Sequence, residues 1–342
     1  MKQFKFLTIL CAGLTALLAT SCKNQDVEFP NFDYTTTYFA YQYPVRTIVL
    51  GEDTYDTSLD NLHKCKIYAT MGGVYANDKL INIDFVVDNT LCNNLYFSAT
   101  GPAVQPMPAN YYTLSSNKIA LDRALLGAVD VQLTDAFFAD NNALQNTYVI
   151  PLRMTKVVNA DSILSGMTNV ANAARCNPAL WSVQPKDYVL YCVKFINQWH
   201  ANYLRRGVDA ITVGTAAATT NVRHKQYVES DAVCSLTTAS LTTVKFPVTV
   251  VNTAGTNETC TLLLTFDNQG KCTVSSATSG FTASGNGSFV KRGDKNSWGN
   301  KDRDALYLDY KIDMTGKSYV TKDTLVVRDR GVKMETFTPS YK

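Results

Sequence analysis

The 342-residue sequence is poor in the residues that build metal and redox sites. It contains three histidines, His63, His200 and His224, and no two of them have a metal-binding spacing. No cysteine pair shows CxxC spacing, so neither a zinc site nor a thiol redox motif is predicted. A GxSxG elbow, a P-loop and a dinucleotide fingerprint are also missing. We therefore expect no metal, no cofactor and no catalytic residue.

The sequence also lacks a strong charge of either sign. It carries 32 basic and 29 acidic residues, which argues against nucleic acid as the partner, because phosphate binding needs a basic surface. Beyond the first 22 residues no stretch is long and apolar enough for a transmembrane helix. An apolar content of 46% and an aromatic content of 11% indicate a folded chain that is long enough for two cores.

The N-terminus has the pattern of an export signal. Lys2 and Lys5 precede an apolar run over residues 7–18, and the small residues 19–21 lead to Cys22. A basic start, a short apolar segment and a small-residue cleavage site are typical of a secretory signal. Small residues directly before a cysteine predict lipoprotein processing, with cleavage before Cys22 and acylation of its thiol. The alternative is an ordinary signal peptide in which Cys22 is incidental. Lipidation would hold the mature protein on a membrane without crossing it.

Seven of the nine cysteines remain when Cys11 and Cys22 are set aside. Export permits disulfides. Cys260 and Cys272 flank a predicted hairpin turn at residues 267–270 and are the best candidate pair. Free buried thiols are expected for most of the others.

The body of the chain is predicted to be all-β. Short runs with a period of two, such as residues 81–85, alternate with turn signals. Residues 22–33 after the signal peptide (1–21) are assigned to a lipid-anchored tether. We assign residues 34–166 to an immunoglobulin-like β-sandwich and residues 167–186 to a linker. Residues 187–342 are assigned to an antiparallel C-terminal barrel or sandwich, a lipocalin-like meander.

Aromatic residues in polar surroundings suggest a sugar-binding surface. Trp199 and Tyr203 lie in one such segment, and Asn296, Trp298 and Asn300 lie in another. An exposed ring packs on the C–H face of a sugar while amide and charged groups bind its hydroxyls. The alternative is structural: Trp199 plugs one end of a barrel and Trp298 caps a hairpin.

Residues 83–91, 107–114, 129–138, 148–152 and 160–166 resemble an N-terminal domain that is common in surface lipoproteins of Bacteroidetes. This domain also precedes the catalytic domain of some endo-glycosidases. The rest of the chain resembles an uncharacterised Bacteroides C-terminal domain that often follows it. The layout is similar to that of starch-utilisation-system outer-membrane lipoproteins, which hold glycans for a neighbouring transporter.

The resemblance and the composition leave three functions open. The first is non-catalytic binding of a polysaccharide or oligosaccharide at the outer membrane, beside transporter components. The second is a structural or assembly role in a surface complex, through strand edges. The third, a glycosidase, is disfavoured because no domain of catalytic size follows the first module.

Lipidation is directly testable. We expect labelled palmitate to be incorporated into the wild-type protein and not into a Cys22→Ala variant, which should leave the membrane fraction. The measurement is labelling followed by fractionation of envelopes. A Cys22→Ala variant that stays membrane-bound would contradict the prediction.

Overall fold

The structure, a computed structural model, describes residues 30–342. The predicted signal peptide, Cys22 and most of the tether lie outside these residues, and their assignments stay predictions. No helix within residues 30–342 is long and apolar enough to cross a membrane.

Twelve strands build the N-terminal module. They are β1 (Thr36–Tyr38), β2 (Pro44–Val49), β3 (Lys64–Gly72), β4 (Leu80–Val87), β5 (Leu95–Tyr96), β6 (Gln105–Pro106), β7 (Tyr112–Leu114), β8 (Lys118–Asp122), β9 (Leu126–Leu133), β10 (Tyr148–Val158), β11 (Ser162–Ile163) and β12 (Tyr188–Ile196). Two short helices accompany them, α1 (Ser58–Asn61) and α2 (Asp135–Ala139). The 3₁₀ turns of this part are Asn89–Cys92, Ala109–Tyr111, Asn141–Leu144 and Pro178–Leu180.

Eleven further strands follow. They are β13 (Ala201–Val213), β14 (Thr219–Arg223), β15 (Ala232–Thr238), β16 (Thr243–Val251), β17 (Asn257–Phe266), β18 (Lys271–Ser276), β19 (Thr282–Asp294), β20 (Arg303–Met314), β21 (Lys317–Asp329), β22 (Glu335–Thr336) and β23 (Ser340–Tyr341). The 3₁₀ turns here are Val228–Ser230 and Trp298–Asn300.

The N-terminal module is a β-sandwich, as predicted. One sheet has the strand order β11-β1-β3-β9-β7, and the facing sheet has the order β22-β2-β12-β10-β4-β8, with β6 paired to β10. The period of two in β4 is confirmed, since Ile81, Ile83 and Phe85 point into the core between the sheets. The second sheet also carries a core on its outer face, formed with residues 91–104 and the C-terminal Phe337. Its central strands β10 and β12 are therefore apolar on both faces.

The C-terminal module is an eight-stranded antiparallel barrel, which decides between the predicted barrel and sandwich. Strands β15 to β21 follow one another as a meander, and β21 closes the barrel by pairing with β13 along its whole length. Strand β14 forms a hairpin with the second half of β13. Inward side chains of successive strands build a single apolar core that includes Tyr203, Phe246 and Leu306.

The assignment of residues 188–195 to the C-terminal block is wrong. Strand β12 lies inside the sandwich, antiparallel to β10 and parallel to β2. The segment predicted as a linker stays with the sandwich as well, because Met167 bridges to Val183 and the Lys186 N–H donates to Leu164. The chain passes from sandwich to barrel within residues 197–200, too short a segment for a linker signal in the composition.

The predicted Cys260–Cys272 disulfide does not form. The hairpin turns at residues 267–270 as expected, but its register places Cys272 opposite Phe266. Cys260 precedes Phe266 by six residues on the same strand, which separates the two cysteines by roughly 20 Å at the usual rise of a strand. All seven cysteines within residues 30–342 are free thiols.

Arg330 joins the two modules. The residue is 6% exposed. Its guanidinium donates to four backbone carbonyls: those of Leu50 and Glu52 in the sandwich, at 3.1 and 3.0 Å, and those of Asn197 and His200 in the connecting segment, at 2.7 and 2.6 Å. A planar guanidinium has enough donors for four carbonyls at once. One side chain therefore fixes the segment where the chain leaves the sandwich.

Replacing Arg330 should loosen this junction. We expect Arg330→Ala to lower the free energy of unfolding by about 3 kcal/mol, because four backbone carbonyls lose their donor, two of them in buried hydrogen bonds. Arg330→Lys should recover only part of the loss. Urea unfolding followed by fluorescence measures the effect. The control is Arg328→Ala, since Arg328 forms an exposed pair with Asp329 that is worth little. Equal losses in the two alanine variants would contradict the prediction.

Candidate functional site

The barrel wall is open on one side. Strand β15 pairs with β16 through only two residue pairs, Thr237–Lys245 and Thr238–Val244. Beyond Lys245 the remaining residues of β16 have no partner on that side among the strands of residues 30–342, and the opposite rim is β14. We call this opening, between Thr219–Arg223 and Val248–Val251, the barrel slot. It encloses about 400 Å³, a volume in the range of small-molecule sites.

Local chemistry keeps the β16 edge open. The Thr243 carbonyl accepts from Ala239 on the slot side, so odd-numbered residues of β16 direct their backbone groups toward the slot. Pro247 has no N–H at this edge. At the end of the edge, the Tyr319 hydroxyl donates to the Val251 carbonyl at 2.7 Å and accepts from its N–H at 2.9 Å. Between Pro247 and Val251, the backbone N–H and carbonyl of Thr249 have no hydrogen-bond partner among the described residues. Both groups can therefore bind a ligand.

A cluster of charged side chains forms the interior wall of the slot. Arg223 donates to both carboxylate oxygens of Asp209, at 2.7 and 2.8 Å, and to Asp323 at 2.7 Å. Arg205 donates to Asp323 at 3.0 Å, and Tyr310 donates to the same carboxylate at 2.8 Å. Two arginines thus share two buried carboxylates.

Further polar groups complete this cluster. The Thr321 hydroxyl donates to Asp209 at 2.9 Å, and the Asn221 amide donates to it at 3.2 Å. Gly207 makes room for the cluster, because a Cβ at this position would lie 2.3 Å from a carboxylate oxygen of Asp323. A buried ionic cluster costs desolvation energy that apolar packing would not. Such clusters in a cleft are candidates for functional sites.

The protonation state of Asp209 follows from its partners. Burial acts to raise the pKa of Asp209, but the hydrogen bonds and charge of Arg223, with Thr321 and Asn221, outweigh it and hold the pKa below its usual value. Asp209 is therefore a carboxylate at neutral pH. The pKa of Arg223 is raised, since the hydrogen bonds and charges of Asp209 and Asp323 exceed the opposing effect of burial.

Apolar groups form the remaining surface of the slot. They come from the inward positions of β13, β16, β20 and β21 and include Ile211, Val248, Val250, Ile312 and the ring of Tyr319. The slot therefore combines apolar walls with fixed polar groups at one end. This is the composition of a site that recognises a small polar molecule.

Two of the residues predicted to bind a glycan belong to the barrel core instead. Trp199 is 3% exposed and stacks on Phe266 with ring centroids 4.1 Å apart. Tyr203 is completely buried, and its hydroxyl donates to the Trp199 carbonyl at 2.8 Å. Neither ring is accessible to a ligand. The polar neighbours Asn202 and Arg206 lie on the outer face of β13, and the structural alternative for Trp199 is correct.

The other three predicted residues lie in one surface loop. The Trp298 ring is partly buried, its N–H donates to the Val327 carbonyl at 3.2 Å, and the Arg303 guanidinium stacks 3.4 Å from its centroid. Asn296 and Asn300 are exposed on either side of it, both with positive φ. Arg303 and Val327 also line a polar cleft of about 270 Å³ between the two modules. Glycan binding by this loop stays a prediction, at a place separate from the slot.

The histidines hold no metal cluster within residues 30–342, where no group of three or more potential ligands occurs. His63 packs on Phe138 with ring centroids 4.1 Å apart. Desolvation, with the charges of Arg330 and Lys194, lowers the pKa of His200 to about 4, so this partly buried ring is neutral at physiological pH. His224 is exposed on the segment after β14.

Sequence reasoning missed the slot, although one signal pointed to it. In β13 the residues at a period of two after Tyr203 are Arg205, Gly207 and Asp209, so charges occupy the face that carries a core aromatic. Charges on a buried face mark a site that apolar packing alone does not explain. The partners of these charges come from β14 and β21, which no sequence spacing connects.

Together, fold and slot define a two-module protein: a β-sandwich joined to an eight-stranded barrel with an opening in its wall. Comparisons with known proteins identify these modules. The family described as Domain of unknown function (DUF5627) matches residues 198–331, and a family described as an N-terminal domain matches residues 32–161. No curated protein matches the sequence.

A solved structure of a Bacteroides ovatus protein of unknown function is similar to nearly the whole chain. The identity is 45%, with 91% of this chain and 100% of that chain covered, and the TM-score is 0.87. The chain belongs to the family of this protein.

Two more distant structures, both 12% identical, also match. One is a second B. ovatus protein of unknown function, with TM-score 0.40 and 89% and 99% of the two chains covered. The other is an auxiliary nutrient binding protein from Bacteroides thetaiotaomicron, with TM-score 0.36 and 85% and 95% covered.

The slot carboxylate should give the barrel an acid-sensitive stability. Because the folded pKa of Asp209 lies below its usual value, its ionised form contributes stability above that value, and this is lost as the pH falls through the folded pKa. We expect Asp209→Asn to cost about 2 kcal/mol at pH 7, with a smaller difference from wild type below about pH 4. Urea unfolding at several pH values measures it.

The matched control is Asp309→Asn on the outer barrel wall. Asp309 is 61% exposed and lies 3.4 Å from Lys322, so its loss should change stability little at either pH. A cost for Asp209→Asn that is constant with pH, or equal to that of Asp309→Asn, would contradict the ionic role of Asp209.

Proposed function

We propose that this protein is a non-catalytic glycan-binding lipoprotein of the cell surface and that the barrel slot holds the sugar. The single observation that carries the proposal is the composition of the slot. Hydrogen-bonding groups in fixed positions lie at one end of a concave apolar surface that includes an aromatic ring. Sugars present the same two kinds of surface, hydroxyl groups and C–H faces, to a protein.

The geometry supports binding to hydroxyl groups in particular. Asp209 and Arg223 hold each other in a bidentate pair, so their planes are fixed before a ligand arrives. Neighbouring Asn221 keeps its side-chain oxygen without a partner among the described residues, and Thr249 offers a backbone donor and acceptor. Preorganised groups of both kinds bind a hydroxyl, which donates one hydrogen bond and accepts others.

The same geometry favours binding over hydrolysis. A glycosidase needs one carboxylic acid with a raised pKa beside a second carboxylate. Asp209 has a lowered pKa, and Asp209 and Asp323 are both bound to Arg223. Neither carboxylate is arranged to donate a proton to a leaving group.

Surface location and transporter partners belong to the proposal as well. They are supported by the export pattern before Cys22 and by the resemblance to outer-membrane lipoproteins. A lipid on Cys22, followed by the tether of residues 22–33, would hold the sandwich near the membrane and leave the barrel free to meet a polysaccharide.

A glycan array tests the proposal. We expect the wild-type protein without its signal peptide to bind at least one class of oligosaccharide, and Asn221→Ala to weaken binding roughly tenfold, because one hydrogen-bonding group is lost. Titration calorimetry on the array hits measures the affinity. The matched control is Asn286→Ala, which removes the same group from the outer wall of β19 and should leave the affinity unchanged.

A third variant separates the two candidate sites. Loss of binding in Trp298→Ala but not in Asn221→Ala would move the sugar to the Trp298 loop and overturn the assignment to the slot. Absence of binding to every plant and host polysaccharide by the wild-type protein would contradict glycan capture and favour the assembly role.

A further inference from the structure

The charges around the barrel slot do not cancel. Arg205, Arg223 and Lys317 face or line the slot, whereas the carboxylates of this cluster are Asp209 and Asp323. Three cations against two carboxylates leave one positive charge in excess. A partly enclosed site of this kind focuses its field on a ligand.

The excess charge is available to a ligand. Arg205 uses Nε and one terminal nitrogen for Asp323 and Tyr310, and Arg223 uses Nε and one terminal nitrogen for its two carboxylates. The other terminal nitrogen of each has no hydrogen-bond partner in residues 30–342, and neither is among the buried polar atoms that lack a partner. Both nitrogens are therefore accessible to solvent, and both arginines line the slot.

Lys317 provides the third cation at the mouth. Its Nζ lies 5.2 Å from the centroid of the Tyr319 ring and makes no ion pair among the described residues. Tyr319 itself is held by Val251 across the slot. An ammonium above a ring that forms the slot wall lies where it can meet an anionic substituent of a sugar that packs on the apolar surface.

From this arrangement we infer that the slot selects an acidic glycan, whose carboxylate or sulfate groups are bound by Lys317 at one end of the slot and by the free guanidinium nitrogens of Arg205 and Arg223 at the other. The inference rests on the proposed function and narrows its ligand to anionic glycans. Guanidinium nitrogens bind carboxylate and sulfate oxygens with strong, charge-assisted hydrogen bonds. Uronates and sulfate esters share this chemistry.

Matched ligands distinguish the two sources of charge. The probes are oligogalacturonate and its methyl ester, which differ only in the carboxylate, and a sulfated galactan oligosaccharide and its desulfated form. We expect one acidic member to bind at least tenfold more tightly than its neutral match. Raising the salt concentration from about 0.05 M to about 0.5 M should weaken the binding of the acidic member only, because salt screens the attraction between its anionic group and the slot cations.

Substitutions assign the effect to the slot. Lys317→Gln should weaken the acidic ligand roughly tenfold and leave the neutral one unchanged. The matched control, Lys322→Gln, removes an exposed charge that pairs with Asp309 on the outer wall and should change neither affinity.

The outcomes separate the two proposals. Equal binding of acidic and neutral members, unaffected by Lys317→Gln, overturns the acidic selectivity and leaves glycan binding in the slot standing. Binding of inorganic sulfate to the protein, without binding of either the sulfated or the uronate sugar, assigns the cations to a free anion and overturns the inference. Binding of no glycan at all overturns the proposed function and the inference with it.

Discussion

The junction around Arg330 is the constraint on which the arrangement of the two modules depends. A buried guanidinium that forms no ion pair among the described residues is costly unless carbonyl groups replace its hydration. Here four backbone carbonyls do so: two from the sandwich and two from the connecting segment, while Arg330 itself directly follows strand β21 of the barrel. Asn197 adds to the same segment, because its side chain donates to Ser240 and Thr243 at the β15–β16 turn. The turn that leads into the open edge of β16 is thus fixed from the sandwich side.

The fixed turn between β15 and β16 explains how one barrel contains both a dense core and an open slot. Near the junction β15 fills the gap between β13 and β16, and Trp199, Tyr203 and Phe266 pack beneath it. Toward the other end β15 has left the wall, and polar groups replace the apolar ones at the inward positions of β13 and β21. Asp209 and Asp323 are tolerated there because every carboxylate oxygen has a donor in the cluster.

The sequence predicted what is local and missed what depends on pairing partners. Alternation in β4 identifies a half-buried strand because the period of two acts within a few residues. The sequence assigns β12 to the wrong module because a strand that is apolar on both faces has the same sequence pattern in a sandwich and in a barrel. The predicted Cys260–Cys272 disulfide is wrong because the register of the hairpin places Cys272 opposite Phe266, six residues from Cys260. The prediction for Trp199 is wrong because the ring turns into the barrel core from the segment before β13, while its polar neighbours face outward or lie in the junction.

The same reasoning shows why the candidate site is less predictable than the fold. Packing of a core tolerates many apolar residues, so patterning alone reaches it. The slot depends on Arg223 meeting Asp323 one hundred residues later in the chain, with Gly207 leaving room between their strands. No single strand contains enough of the slot to identify it. The local sequence signal of the slot is a charged residue at a core-facing position. In β13 this residue is Arg205, two positions after the completely buried Tyr203.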